Sequence, residues 1–423
     1  MFYLPAILIG RAARMLIRMV RPGGGSALPG LILSKIAPGL LAKTLGSFSD
    51  GLIVVTGSAG KSTTTKMLVA IAREHGKIVF TNPSTANISQ GFYSAILERS
   101  DLFGRIEGDV AILEMDEGHA AEITTRVAPS QSTILNVLED QLDRFVDPAI
   151  VRDKLAVVAS RTKGAVLLNA DDQNTILIGS ELASKASVSW FGIDSGLLDA
   201  SKNGLGAAPT YLPELERPSV RAEIRTVTGT TAVAQLDGAN QSFNLPNRGL
   251  HYALDSIAAL LSAKTYLGAD FDFPLASKVL DELPPVFARG EIARVGDEDV
   301  EFILVQNPMS FQLNLDNLTT NPEQIMVAIG RDVHDPSWLW TVDMSHLGHV
   351  DMVSGYNFAE IALRLTYAGV PIAKVEADLE LALEQFFAMP APSKGIKTVI
   401  FSADAMRRTR RILGFTDPEA VER

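Results

Sequence analysis

From residue 51 to residue 72 the chain reads GLIVVTGSAGKSTTTKMLVAIA: an apolar run, a glycine turn, then a helical pattern carrying Lys61 and Ser62. Few local patterns constrain a fold as tightly. A strand that is apolar without alternation must be covered on both faces, and a turn that leads straight into a helix makes it part of a parallel, helix-covered sheet. Gly57 and Gly60 let backbone N–H groups approach an anion, and the helix starting near Lys61 adds the positive end of its dipole. Two residues separate these glycines where the GxxxxGK[ST] pattern has four, but the electrostatic logic is unchanged. Lys61 is placed to neutralise charge between β- and γ-phosphates, and the Ser62 hydroxyl to ligate Mg²⁺, with Thr63 beside it. A Mg²⁺–triphosphate centre also needs a carboxylate. Glu114 ends the buried run DVAILEM (109–115), where such a ligand belongs, and Asp116 and Glu117 are the alternatives.

Around this unit strands and helices alternate. LIVVTG (52–57), KIVF (77–80), DVAILEM (109–115), STILNV (132–137) and GAVLLNA (164–170) read as strands of one sheet, with ligands expected at their carboxyl ends. Residues 194–218 are rich in Gly, Pro and Ser and predict an extended loop. Alternating strands (VRAEIRTV, TTAVAQLD, QSFNLP) and a helix over about 250–267 follow, and proline punctuation at 283–285 marks a domain boundary. The remainder alternates again, through EFILVQN, QIMVAIG, a helix over 358–369 and TVIFSAD (398–404). The expected organisation is therefore an N-terminal segment 1–50, a central α/β domain 51–285 and a smaller α/β domain 286–423.

Several function classes are excluded by composition. A net charge of −11 over 423 residues argues against a general nucleic-acid binder. With no cysteine in the chain there is no disulfide, no cysteine-ligated zinc and no thiol nucleophile. His346 and His349 are three apart, but no third ligand accompanies them and they do not predict a metal site. No acid precedes Asp50, whereas Arg11, Arg14, Arg18, Arg21, Lys35 and Lys43 do. FYLPAILIGRAARMLIRMV is too interrupted to span a bilayer and lacks a leader-type cleavage site. Helical spacing aligns Arg11, Arg14, Arg18 and Arg21 on one stripe. It reads either as a helix docked on its own domain with a solvated basic edge, or as one lying on an anionic membrane surface. RPGGGSALPG (21–30) reads as a hinge-like break. These features place the chain in the cytoplasm, adjacent to the membrane in the second case.

TGSAGKST, the Glu114 strand end and NVLEDQLDRF (136–145) together resemble the Mur ligases, whose usual forms are TGTNGKT and N…DHLDR. DQLDR, with Gln141 for His, is similar to the branch that forms the Mur-like subunit of lipid II isoglutaminyl synthase. RPGGGSALPG, TNPSTANI (81–88), LNADD (168–172), FARGE (287–291) with LVQNP (304–308), DPSWLW (335–340) and ALRLTYAGV (362–370) resemble that branch in order along the chain. Gln306 stands where the branch has a lysine. Many of its members carry a four-cysteine zinc ribbon where this chain has the 194–218 segment, so zinc is not expected.

The resemblance implies a Mur-ligase-like ATPase fold with a mostly parallel sheet, and a ligase using ATP and Mg²⁺. It implies that the α-carboxylate of D-glutamate in lipid II becomes an acyl phosphate and then, with ammonia, D-isoglutamine. The ammonia would come from a separate GatD-type glutaminase that brings the cysteine and histidine, while Asp335 orients that histidine in trans; Asp332 and Asp343 are close enough in sequence to be confused with it. Asn136, Asp140, Asp143 and Arg144 would line the metal and nucleotide side. Tyr252 and Asp255 would lie near the adenine, and Arg289 would meet the γ-phosphate on domain closure. A stand-alone amino-acid ligase of the Mur or folylpolyglutamate type, or a non-catalytic ATP-binding scaffold, are the alternatives.

Overall fold

The structure is a computed structural model of the 423-residue chain. It describes residues 3–20, 27–82, 87–138, 147–182, 187–201, 204–206, 208–210, 212–284, 289–318, 322–345 and 347–415. Fifteen strands are formed by these residues, and they make two sheets.

The first sheet contains β1 (Leu52–Thr56), β2 (Val79–Phe80), β3 (Val110–Glu114), β4 (Gln131–Ile134), β5 (Ala165–Asn169), β6 (Ser187–Ile193), β7 (Ala222–Thr228), β8 (Thr231–Leu236) and β9 (Ala239–Asn244). Its order is β2-β3-β1-β4-β5-β6-β7-β8-β9. Pairing is parallel from β2 to β7 and antiparallel from β7 to β9. Every residue of β1 is buried, which explains its unbroken apolar run. Ile53 and Val55 pack with Met67, Leu68 and Ile71 of the helix Lys61–Glu74 and with the long helix Leu250–Leu267. On the opposite face Leu52 and Val54 pack with Phe92 and, from the N-terminal helices, with Ile7, Leu33 and Leu40. The described residues among the first fifty thus pack on one face of this sheet.

The second sheet contains β10 (Arg289–Val295), β11 (Glu298–Leu304), β12 (Gln324–Ala328), β13 (Val350–Ser354), β14 (Ile372–Val375) and β15 (Lys397–Phe401), in the order β10-β11-β15-β12-β13-β14. Only the β10–β11 pair is antiparallel. Helices Phe358–Tyr367 and Leu379–Phe387 contribute to the apolar layers on its two faces.

Some sequence expectations need correcting. The 194–218 segment is not wholly extended: Asp194 caps a short helix, Ser195–Ala200, by accepting from the Gly196 N–H. Part of the expected hinge at 21–30 is helical, because Ala27–Ile36 forms a helix that begins within it. β6 has one partly polar face and β14 is mostly exposed, so neither carried the apolar run used to recognise strands. Among the described residues no helix is long and apolar enough to cross a membrane.

Candidate functional site

β1 lies between β3 and β4, and the chain leaves it on one side and returns on the other, so a crevice opens at its carboxyl end. The glycine turn sits there. Gly57 has φ +133° and Gly60 φ +84°, values that a side chain at either position would resist. A Cβ on Gly57 would also lie 3.0 Å from the Asn136 nitrogen.

Asn136 clamps the turn. Its Oδ1 accepts from the Ala59 N–H at 2.8 Å, its carbonyl accepts from the Ser58 N–H at 3.0 Å, and its Nδ2 donates to the Ala59 carbonyl at 3.3 Å. The Leu138 N–H donates in turn to Ser58 Oγ. One asparagine at the end of β4 therefore fixes the loop by both its backbone and its amide. Behind it, Asp172 accepts from the Val137 N–H at 2.6 Å and caps the next helix through the Asn174 N–H. Its burial pushes the carboxyl up to about 6. Burial likewise raises neighbouring Asp171, against the opposing bonds from the Ile193 N–H and Arg217. Arg217 reaches back from the 194–218 segment to bond Asp171 at 2.7 Å and Glu223 at 2.9 Å, pinning that segment to the sheet.

Lys61 turns back over the loop, donating to the Gly57 and Ser58 carbonyls, and pairs with Glu117 at 3.3 Å. Glu117 is almost wholly buried, and its second oxygen, Oε2, has no hydrogen-bond partner among the described residues. Glu114, also buried, accepts from Asn87 Nδ2 at 3.1 Å, while Asn82 brackets its backbone on both sides. Asn82 and Asn87 were missed as site residues by reading the sequence. The signal available was their position just after β2, at the same sheet end as the glycine turn.

The turn residues Ser58 to Gly60, Lys61, Asn87, Glu114 and Asn136 line one cavity of about 830 Å³. Its walls include Lys61, Ser62, Thr63, Glu114, Tyr252 and Asp255. Asp255 faces the turn: a Cβ on Gly60 would fall 2.1 Å from its Oδ1. Tyr252 is buried with its ring 4.4 Å from that of His251. The opposite wall comes from the second sheet, where Gln306 and Asn307 follow β11 and Asn307 opens the helix Pro308–Asp316 through a reciprocal cap with Ser310. The donor set fits a magnesium nucleotide: backbone N–H groups on glycine turns, one amine, one hydroxyl and a buried carboxylate at the end of β3. Arg289 begins β10. Asp140, Gln141, Asp143, Arg144, Phe287 and His346 lie outside the described residues.

The three aspartates after β12 have different surroundings. Asp332 accepts three bonds at the start of the helix Ala403–Ile412: from Ser402 Oγ and the Asp404 N–H on Oδ1, and from the Ala403 N–H on Oδ2. The Asp343 N–H donates to Gln312 Oε1, and the Asp343 carboxylate accepts from the Ser345 N–H. Asp335 is exposed and caps the short helix Pro336–Thr341, where Ser337 donates to it and holds its carboxyl below the usual range. Trp338 packs on Phe311, whereas Trp340 is half exposed against Tyr367. His349 bonds the Glu323 carbonyl and faces Asp351. Among the described residues no cluster of three metal-binding side chains is found.

Two protein families match this chain: the Mur ligase middle domain over residues 55–260 and the MurT ligase C-terminal domain over residues 304–402. It is 26% identical over 414 residues to the MurT subunit of the glutamine-hydrolyzing lipid II isoglutaminyl synthase of Streptococcus pneumoniae, covering 87% of this chain and 88% of that one. To the corresponding subunit of Staphylococcus aureus it is 31% identical over 167 residues, 40% of this chain and 37% of that one. Its fold is similar to that of Thermotoga maritima MurF solved with ADP (TM-score 0.63, 17% identity, 91% of this chain and 83% of that one). It is also similar to that of Mycobacterium tuberculosis folylpolyglutamate synthase (TM-score 0.65, 15% identity, 93% and 99%).

Proposed function

Because this chain is a MurT-type member of the Mur ligase family, we propose that it is the ATP-dependent ligase half of a two-chain enzyme that amidates the D-glutamate α-carboxylate of lipid II. The observation that carries this reading is the shared cavity, where the glycine turn, Lys61, Ser62 and Glu114 face residues that follow β11. In the first step a carboxylate oxygen of the substrate attacks the γ-phosphorus of ATP, and ADP leaves with the bridging oxygen. Ammonia then attacks the acyl carbon, inorganic phosphate departs, and the nitrogen loses a proton to give the amide. Phosphorylation makes a poor leaving group into a good one, so the protein's part is positioning and charge neutralisation. Lys61 would meet the phosphates, Gly57 and Gly60 would present backbone N–H groups, and Tyr252 and Asp255 would border the nucleoside. Ser62 and Glu114 would hold Mg²⁺, which would help to offset the charge of the phosphates. Arg289 would approach on closure.

The nitrogen needs a second chain. Releasing ammonia from glutamine takes a thiolate nucleophile, and no cysteine exists here. A GatD-type glutaminase would supply the cysteine and histidine, and Asp335, exposed and held ionised by Ser337, would orient that histidine. A lipid-borne substrate places the reaction at the inner face of the membrane, with the N-terminal segment as a peripheral contact.

The test is reconstitution of the chain with a glutaminase subunit, lipid II, ATP and Mg²⁺, following amide formation by mass spectrometry. Amidation should need both chains when glutamine is the donor and only this chain when ammonium is. Lys61→Ala should lower both activities by roughly a hundred- to a thousandfold. Ammonia release from glutamine by this chain alone would refute the division of labour.

A further inference from the structure

We propose that the N-terminal helix Leu4–Val20 meets an anionic lipid bilayer with its apolar face, and that Arg11 and Arg14 serve to dock it on the protein. This gives residues to the membrane placement proposed above and rests on that reading for its orientation alone. The sequence suggested an arginine stripe turned toward water or lipid; for Arg11 and Arg14 the structure shows the reverse. Arg11 donates to the Leu97 and Ser100 carbonyls, where the helix Ser89–Arg99 ends, and Arg14 pairs with Glu98 at 2.5 Å. Cations at a helix C-terminus are favourable. Gly10 permits the close approach, since a Cβ there would lie 2.9 Å from Leu97 Cδ1, and Ile7 is buried beside it.

What faces outward is apolar. Leu8, Ile9, Met15, Leu16 and Met19 are 50%, 54%, 68%, 62% and 71% exposed. Pro5 and Ala12 are the other exposed residues among the helix's described side chains. At about 100° per residue these seven positions fall within an arc roughly 120° wide. No hydrogen-bonding side chain lies among them.

Two features select a bilayer as the occupant. The first is charge: residues 1–49 carry six cations and no acid, +6 of a chain whose net is −11, which leaves −17 for the rest. An anionic surface would attract this end and repel the remainder, so the helix face is what it would meet. A second copy seated on this face would bring two such cationic segments together. The second is chemistry, because protein interfaces carry about one hydrogen bond per 100–200 Å² and this arc offers no side chain to make one. A short helix interrupted by arginines lies on a membrane and does not cross it.

The experiment is co-sedimentation of the full chain with vesicles of phosphatidylcholine alone or mixed equally with phosphatidylglycerol. The wild type should bind the mixed vesicles, weaken with salt, and bind the neutral ones poorly. Leu16→Glu with Met19→Glu, both outside the packed core, should lower partitioning at least tenfold without changing the melting temperature. Absence of wild-type binding to either vesicle, or equal binding by the double variant, overturns the proposal. So does a change from dimer to monomer in the variant with lipid binding intact, which would make a second copy the occupant. No ATP, glutamine or glutaminase enters this assay, so its failure and failure of the amidation reading are separable.

Discussion

The carboxyl end of the first sheet and the segment after β12 both present acidic side chains, yet they are built in opposite ways. Around the glycine turn, Glu114, Glu117 and Asp172 are buried, and Asn136 and Asp172 bind backbone N–H groups from neighbouring loops. After β12, Asp335 is exposed and holds only the start of its own short helix, beside the half-exposed Trp340. The first arrangement is complete within one polypeptide. The second leaves a charged, oriented carboxylate at the surface, which suits a group whose reaction partner belongs to another chain. A preorganised site can be finished by packing; a shared site must leave one side open.

The largest expected effect that would break this contrast is functional. Asp335→Asn should reduce glutamine-driven amidation by about 10³–10⁴-fold, the scale on which a triad loses its orienting carboxylate. Ammonium-driven amidation should stay within about twofold. Measuring both nitrogen sources on one preparation decides it: equal loss would place Asp335 in the ligase reaction or in folding, and the contrast would fail.

A stability experiment sharpens the same contrast. Asp172 has its carboxyl raised to about 6 from an ordinary 3.8, with burial as the largest cause. The folded state therefore holds a proton that the unfolded state has already lost between these values. The stabilisation from this group is fully present below about pH 4 and is withdrawn as pH rises through about 6, a difference of about 3 kcal/mol. Asp335 is shifted downward by Ser337, so its contribution has the opposite sign: present above its unfolded value and lost on acidification. Denaturant unfolding of wild type and Asp172→Asn at pH 5 and pH 7.5 tests this. The variant should be penalised more at pH 5 than at pH 7.5, and an unchanged difference would mean that Asp172 does not titrate in that window.

How much of this was legible depended on whether the signal was local. The strand, the glycine turn, Lys61 and the strand-end Glu114 were readable because one short segment encodes each. The helix Leu250–Leu267 was readable because eighteen consecutive residues, mostly apolar, run without a glycine or proline. The Asn136 clamp was half readable: the residue was visible in NVLEDQLDRF, but its pair of hydrogen bonds with Ala59 depends on β4 lying beside β1. Asn82 and Asn87 and the Glu117 pairing with Lys61 join segments more than 25 residues apart, which no local pattern reports. The direction of Arg11 and Arg14 was misjudged for a related reason. Helical spacing shows which residues share a face, and only the packing partner, here the end of Ser89–Arg99, decides which face turns inward.

The smallest effect concerns Asp332, whose position in sequence three residues before Asp335 made the two hard to tell apart. Both of its oxygens are engaged at the start of Ala403–Ile412, and the Ser402 hydroxyl that donates to it also accepts from the Gly330 N–H. A carboxylate at a helix N-terminus bonded to two backbone N–H groups is a cap, and removing one costs about 1–2 kcal/mol. Asp332→Ala should therefore lower the melting temperature by a few degrees, since a shift of this size follows from that energy in a chain this long. It should leave the ratio of glutamine-driven to ammonium-driven amidation unchanged, because a cap has no stake in where the nitrogen comes from. If that ratio collapses in Asp332→Ala and survives in Asp335→Asn, the two aspartates have exchanged roles. The surface that meets the glutaminase would then lie at the cavity mouth, which Asp332 lines, and not on the outer face beside Trp340.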